Sequence, residues 1–525
     1  MARAREQVMP LWNEWLSIYE QPHPSDKAYS TFLGTLQAGG WLGLSVNGER
    51  FLKILFDSAI GAAAPPGAPM STNGKPQLTL APLDAASTLV VLMIKFVGTG
   101  ESTDSAAKAQ AQLQLLKRAL AALVQHVLKA FDSRPHEANQ RAYLRILGAM
   151  LFEINSPDPA LDPLQPQALA AFAAALQALQ PSRLPGFAFA WLELLSHRML
   201  MPKLLLARGH KGWPALKRLL VGLFTFLQPH LLAAELSAPT RTLYRGAMRV
   251  LLVLLHDFPE FLCDYHFALC DVIPPSCIQM RNLVLSAFPR NMRLPDPFTP
   301  SLKVDLLPEI SQPPRILSPV TRPLIEAGLL GDLDSFLATR RPFNLAHELR
   351  HRLLHPDGTP KGSLISALVL HVGSAGIAAL QASQGQPHAQ PQALAHSAPM
   401  DILQRLAADL ATDARYVLLN AIANQLRYPN NHTHYFSCVL LYLFTETSDE
   451  RVQEQITRVL VERLIVHRPH PWGLLITFIE LIKNPRYNFW AKSFTRCAPE
   501  IEHLFASVAR SCMGPGSAPP GGGAD

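Results

Sequence analysis

From its first residues the chain repeats apolar positions three and four apart. Leu11, Trp12, Trp15, Leu16 and Tyr19 fall on one helical face. The same spacing predicts helices over 25–36, 50–60, 82–97, 105–131, 139–154, 165–179, 187–200, 214–232 and 239–256. Shorter ones follow at 261–271 and 276–288, and then the texture changes. From 289 to 323 prolines are dense, and phrases such as LPDPFTP cannot sustain a helix. Leu294, Phe298, Leu302 and Leu306 offer apolar anchors there. We therefore expect an extended connector pinned along a surface, since a free linker is usually poor in apolar residues. Helices resume at 333–339, 345–354 and 364–381, and again from 400 to 426.

The stretch 418–490 holds tightly joined helical patterns separated by proline-marked turns. After Glu446, Thr447 with Glu450 reads as a capping box. Val452, Ile456, Val459, Leu460 and Leu464 form one stripe, so that helix has a wet face. The next is expected to start at Pro471. Its apolar positions cover most of the circumference and leave Thr477, Glu480 and Lys483 as a narrow polar stripe. Such a helix is covered on two sides. Alternating strand patterns are absent.

What recurs is a pair of helices joined by a short turn, a unit that buries its apolar face only by stacking. The fold expected is all-α, a HEAT-like helical-repeat solenoid in two lobes: 1–288, a proline-rich connector 289–323, then 324–512. The segments 61–76 and 383–399 read as inserted loops, and 513–525 as a disordered tail.

Composition supports this reading. Hydrophobic residues make up 48% against 8% aromatic, so aliphatic residues build the core. Prolines outnumber glycines 45 to 29, as breaks between helices would require. The net charge of +7 comes from 47 basic and 40 acidic residues scattered along the chain, a mildly basic solvated surface without a nucleic-acid arm. Six cysteines in 525 residues make no disulfide framework and point to a reducing compartment. The most apolar runs, 89–96 and 250–255, are too short to span a membrane, and the N-terminus lacks a signal-peptide core.

Chemistry is sparse. A Walker loop, a dinucleotide glycine fingerprint, a nucleophile elbow and an H-E-x-x-H helix do not occur. Cys263, His266 and Cys270 share a helix face, with Cys277 beyond two prolines, but without paired C-x-x-C hooks they read as buried small residues. His432 and His434 follow a turn whose Asn431 or Thr433 can cap the next helix. Arg427, Tyr428, Arg486, Tyr487 and Trp490 are residue types that anchor interfaces or pack between repeats.

Two blocks of wording carry a family resemblance. One is DFPEFLCDYHF with CDVIPPSCIQMRNLVLSAFPRNMRLPDPFTPSLKVD. The other is NAIANQLRYPNNHTHYFSC with EQITRVLVERLIVHRPHPWGLLITFIELIKNP and CAPEIEHLF. Together with WNEWLSIYEQPHPSDKAYSTFLGTLQ near the start, they resemble the C-terminal homology domain of Not-one, the scaffold subunit of the Ccr–Not deadenylase complex. The resemblance implies an all-helical module without catalytic activity, cofactor or metal, within a larger scaffold polypeptide. It implies docking of Not-two and Not-three type subunits through extended anchor segments, in support of mRNA deadenylation, decay and translational repression, in the cytoplasm and also the nucleus.

Anchor peptides need apolar pockets beside exposed polar groups. Arg290, Asn291, Arg293, Arg427, Tyr428, Asn430, His432 and His434 are the expected partner contacts. The alternative readings are a HEAT-type adaptor or transport receptor and, from the charge, weak salt-sensitive RNA binding.

Overall fold

In the computed structural model, residues 2–63, 78–98, 105–133, 138–233, 235–299, 302–382, 394–496 and 499–513 are described. Among them the regular structure is helical, and the lone β-pairing is a bridge between Leu354 and Pro360. The expectation of an all-α fold holds. The expected tail beyond Met513, which itself ends the helix Pro499–Met513, and most of the two inserted loops lie outside the described residues. Residues 61–63 finish the helix Val46–Ala63, and 398–399 open Ala398–Asp409.

The contacts divide the chain into two compact units, Met1–Pro229 with Leu236–Ala247, and His230–Glu235 with Met248–Asp525. This corrects the expected division at 288. The helices Pro259–Val272 and Ile278–Leu285 and the proline-rich segment all belong to the second unit.

In the first unit, helices one apart in sequence pack in two layers. Val46–Ala63, Ser105–Ser133 and Gln165–Ala178 form one, and Ala81–Phe96, Gln140–Ile154 and Ala188–Leu195 the other. Trp15 fixes one junction, burying its ring and donating Nε1–H to the Ala85 carbonyl at 2.8 Å. The helix expected over 187–200 breaks at Ser196 and resumes as Met201–Leu206.

The second unit repeats the layering. Gly362–Ala382, Thr412–Ala423 and Glu450–Leu464 pack in sequence, as do Asn431–Glu446, Trp472–Lys483 and Pro499–Met513. The run expected from 400 is two helices, because Leu410 and Ala411 turn extended. Gly362–Ala382 is long and apolar enough to cross a membrane, which the short runs read from the sequence missed. More than half of its apolar window is buried in this unit's core. Its glycines admit the crossing helix: the Phe436 ring lies over Gly373 and the Tyr435 ring over Gly376.

Trp472–Lys483 is the inner helix its pattern announced, and Thr477 is itself buried, donating to the Gly473 carbonyl at 2.7 Å. Pro471 is its N-cap rather than its first turn. The stripe Val452 to Leu464 is buried as expected. The cap of that helix is corrected: Asp449, not Thr447, accepts from the Arg451 N–H at 2.9 Å.

Buried arginines tie the second unit together. Arg281 donates to the carbonyls of Cys270 at 2.9 Å and Ile273 at 2.5 Å, and reaches Asn424 Oδ1 at 3.5 Å. Arg463 donates to Asn420 Oδ1 at 2.7 Å and to the same Asn424 Oδ1 at 2.8 Å. Asn282 returns a bond to the Arg463 carbonyl at 2.8 Å. Burial, and then the neighbouring Arg281 charge, lower Arg463 to about 10. This network fixes the helix Ile278–Leu285, from which the proline-rich segment departs.

Candidate docking site

The proline-rich segment is pinned to the second unit along its length. Trp472 donates Nε1–H to the Pro295 carbonyl at 2.8 Å. The Leu317 N–H bonds the Asp264 carbonyl at 2.9 Å, and the Asn431 N–H bonds the Gln312 carbonyl at 3.0 Å. Phe298, Ile316 and Val320 pack against the core. Of the expected anchors, Leu294, Phe298 and Leu302 are all half-buried, and Phe298 packs against the core, whereas Leu306 is 74% exposed. Val304–Leu306 is a 3-10 turn, and such a turn does not keep the spacing of an extended chain.

Around this strap lie two grooves. The first, about 440 Å³, is lined by Glu260, Cys263 and Asp264 of the helix Pro259–Val272, by Asn291, Met292, Gln312, Pro313 and Arg315, and by Tyr428, Pro429 and Asn430. Arg315 closes on the buried Asp264, with Nε 2.7 Å from Oδ2. That bond raises the guanidinium further above its ordinary range. Burial pushes the Cys263 thiol up to about 12, a protonated and unreactive sulfur. His266 is wholly buried with Nδ1 3.0 Å from the Cys263 carbonyl. Cys270 is buried too, and its carbonyl takes Arg281. No metal-holding group of histidine, cysteine and acidic side chains occurs among the described residues.

The turn 427–433 is a buried device. Asn430 is the N-cap of Asn431–Glu446, accepting from the Thr433 N–H at 2.9 Å, where Asn431 or Thr433 had been expected. Thr433 Oγ1 in turn accepts the Arg427 N–H at 3.1 Å. Gly473 presses on this turn, donating to the Arg427 carbonyl at 2.6 Å. A Cβ at 473 would lie 2.9 Å from that carbonyl oxygen.

Several expected contacts are therefore corrected. Arg427 is 1% exposed, donating Nη1–H to the Cys263 carbonyl at 3.0 Å, and its guanidinium lies over the Tyr428 ring. Asn430 and His432 are also buried, held by capping and by the core. Burial, with Arg427 nearby, lowers the His432 imidazole to about 4. Tyr428 is 7% exposed and shows the first groove an edge. Asn291 lines the same groove. Arg290 and Arg293 are exposed, and the Arg290 N–H bonds Glu260 Oε1 at 2.9 Å. The structure thus brings Asn291, Tyr428 and Asn430 together at one groove.

The second groove, about 730 Å³, is the more apolar. One wall is the strap, with Asp305, Leu307, Ile310 and Ser311. Facing it are Ile377 and Leu380, Leu394, and Asn431, His434, Tyr435, Cys438, Leu441 and Tyr442, with Arg486 and Tyr487 at one end. His434 Nε2 lies 2.7 Å from Asp305 Oδ1. Burial alone would lower this imidazole, but its bonds to Asp305 and Cys438 outweigh burial and raise it to about 10. The bond from His434 holds the Asp305 carboxyl below its ordinary range. Sequence reasoning found His434, Arg486 and Tyr487 but not Ile310, Leu380 and Leu441, whose apolar spacing is that of any core position.

The family model of the CCR4-Not complex component Not1 matches residues 151–509, which contain the strap, both grooves and the turn between them. This chain belongs to the Not1 family. The resemblance read from its wording is borne out. It is 45% identical over 445 residues to the CCR4-NOT transcription complex subunit let-711 of Caenorhabditis elegans, covering 82% of this chain and 16% of that protein. The chain thus spans about a sixth of that relative. The solved NOT1 superfamily homology domain from Chaetomium thermophilum superimposes with a TM-score of 0.84 at 28% identity, covering 97% of this Not1-family chain and 99% of that one. A second solved structure, a Not1 C-terminal domain in complex with Not4, matches with a TM-score of 0.75 at 25% identity, covering 91% and 96%.

Proposed function

We propose that this chain is the docking domain of a larger CCR4-Not scaffold and receives extended anchor segments of partner subunits in the two grooves beside its strap. The partners in this reading are the Not-two and Not-three type subunits, with a Not4-like subunit as a further client. The domain has no catalytic role and serves mRNA deadenylation, decay and translational repression, in the cytoplasm and nucleus, by holding subunits in one assembly. The observation that carries the reading is the strap itself. It is tied to the helices by backbone hydrogen bonds and supplies one wall of each groove, leaving concave, partly apolar surfaces beside exposed polar side chains. The match to a solved Not1 C-terminal domain in complex with Not4 supports a docking role.

Crosslinking mass spectrometry on the reconstituted assembly tests it. Crosslinks from the partners are expected at the strap and at Asn431–Glu446. A folded chain that retains none of the three subunits on co-purification would sink the proposal. Binding to RNA that survives high salt without any partner would favour the RNA reading instead.

A further inference from the structure

The helix Ala238–Asp257 divides sharply by face. Leu243, Val250, Leu251 and Leu254 are buried. Arg241, Arg245, Arg249, Leu252 and Val253 are exposed and share the opposite face, three or four residues apart. The arginines follow one another at four-residue steps, so their α-carbons stand about 6 Å apart along the axis. Among the described residues none of them pairs with a carboxylate, and Arg241 donates from Nη2 only to the Leu236 carbonyl, at 3.3 Å.

This arrangement works against the helix that carries it. Like charges four residues apart repel. Arg241 also stands in the first turn, where the helix dipole favours an anion and where this helix has no acidic residue. The outer face of Glu450–Leu464 shows the ordinary alternative. It carries Glu454, Arg458 and Glu462 with alternating sign, and Arg458 pairs with Glu462 at 3.8 Å. A row of uncompensated guanidiniums that ends in two exposed aliphatic side chains needs a complement from outside the chain.

We propose that this face is an interaction surface for an acidic segment of a partner protein. The carboxylates of that segment pair with Arg241, Arg245 and Arg249, and its aliphatic residues cover Leu252 and Val253. Guanidiniums suit carboxylates, which they hold by two parallel N–H bonds. An RNA strand fits this face less well. Bases stack on exposed rings, and Tyr244, the helix's single Phe, Tyr or Trp, is half-buried. His256 is engaged with Asp257, Nδ1 lying 2.8 Å from Oδ1. Phosphates gain nothing from Leu252 and Val253. Neither groove beside the strap is lined by this helix, so the inference does not rest on the docking reading.

The probe is a fluorescein-labelled peptide with Glu and Leu at helical spacing, titrated into the full chain at low salt and read by anisotropy. Changing Arg241→Gln, Arg245→Gln and Arg249→Gln together should weaken binding about tenfold, since each exposed ion pair contributes little alone. The difference should shrink as salt is raised. The triple variant should melt no lower than the parent, because it relieves the repulsion. Leu252→Ser with Val253→Ser should weaken the same peptide about fivefold. A charge-swapped chain, Arg245→Glu with Arg249→Glu, should reject this peptide and take its Lys-and-Leu counterpart, which decides the matter if the Gln variant does not fold. Unchanged affinity in a folded Gln variant would overturn the inference, as would a charge-swapped chain that gains nothing for the Lys peptide. So would indifference to the loss of Leu252 and Val253. Tighter binding of an oligouridine strand through the same arginines would assign the face to RNA and overturn the inference too.

Discussion

The Phe436 ring packs against the α-carbon of Gly373. A methyl placed there would lie 2.8 Å from both Cε1 and Cε2, and closer still to Cζ. The two helices can cross at this distance only because the side chain is missing. Gly373→Ala is therefore expected to destabilise the second unit by about 1–3 kcal/mol, the usual range for overpacking a closed core. Gly148→Ala, on a helix with nothing within 4 Å of the added carbon, should be neutral or stabilising by up to about 1 kcal/mol. Urea unfolding of the two variants separates these outcomes.

Asn424 offers one oxygen to two buried guanidiniums. Asn424→Ala strips that acceptor from Arg281 and Arg463 together, and a loss of about 3 kcal/mol is expected. Asn424→Asp supplies a charge in the same place and should lose less, or gain. Equal losses in both variants would mean that shape, rather than the accepted hydrogen bonds, is what this position contributes.

The histidines of one helix respond to acid in opposite ways. His432 is lowered to about 4 in the folded state, so between pH 6.5 and 4 the unfolded chain binds the extra proton and stability falls on acidification. His432→Gln should flatten the urea-midpoint profile across that window, by at most about 1.4 kcal/mol per pH unit. His434 is raised to about 10. Its contribution is complete below pH 6.5 and fades as pH rises through 10. His434→Gln should therefore cost most at and below pH 6.5, progressively less as the pH rises towards 10, and nothing above that range.

Trp472 holds the strap at Pro295. Trp472→Phe keeps most of the buried ring and loses that bond, about 1 kcal/mol. Hydrogen exchange by mass spectrometry should quicken over 292–299, with the helix Glu450–Leu464 unchanged. Uniform quickening would place the tryptophan in the general core instead.

The helices and their layering were legible because apolar spacing of three and four is a local signal, and Ser25, Asn139 and Pro82 marked their starts correctly. The pinned strap was also readable, from apolar residues among prolines. The role of Arg427 was not. An arginine beside a tyrosine reads as an interface anchor, and nothing nearby in sequence shows that the Cys263 carbonyl, far earlier in the chain, takes its charge. Leu306 failed for a similar reason, since one tight turn reverses which leucine faces inward. Thr447 and Asp449 are both good caps, and only the backbone path chooses between them. Of the groove residues, Asn291 and Tyr428 were named from residue type.

Prolines line the first groove at positions 289, 313 and 429. A proline has no amide hydrogen to give, so these stretches cannot serve as the edge of a sheet onto which a stray strand could zip. In the proposed docking role a concave surface that holds extended polypeptide would otherwise be a seed for aggregation. On that reading the rim would take a chain through side chains and carbonyls, and deny it the regular ladder along which further copies could grow.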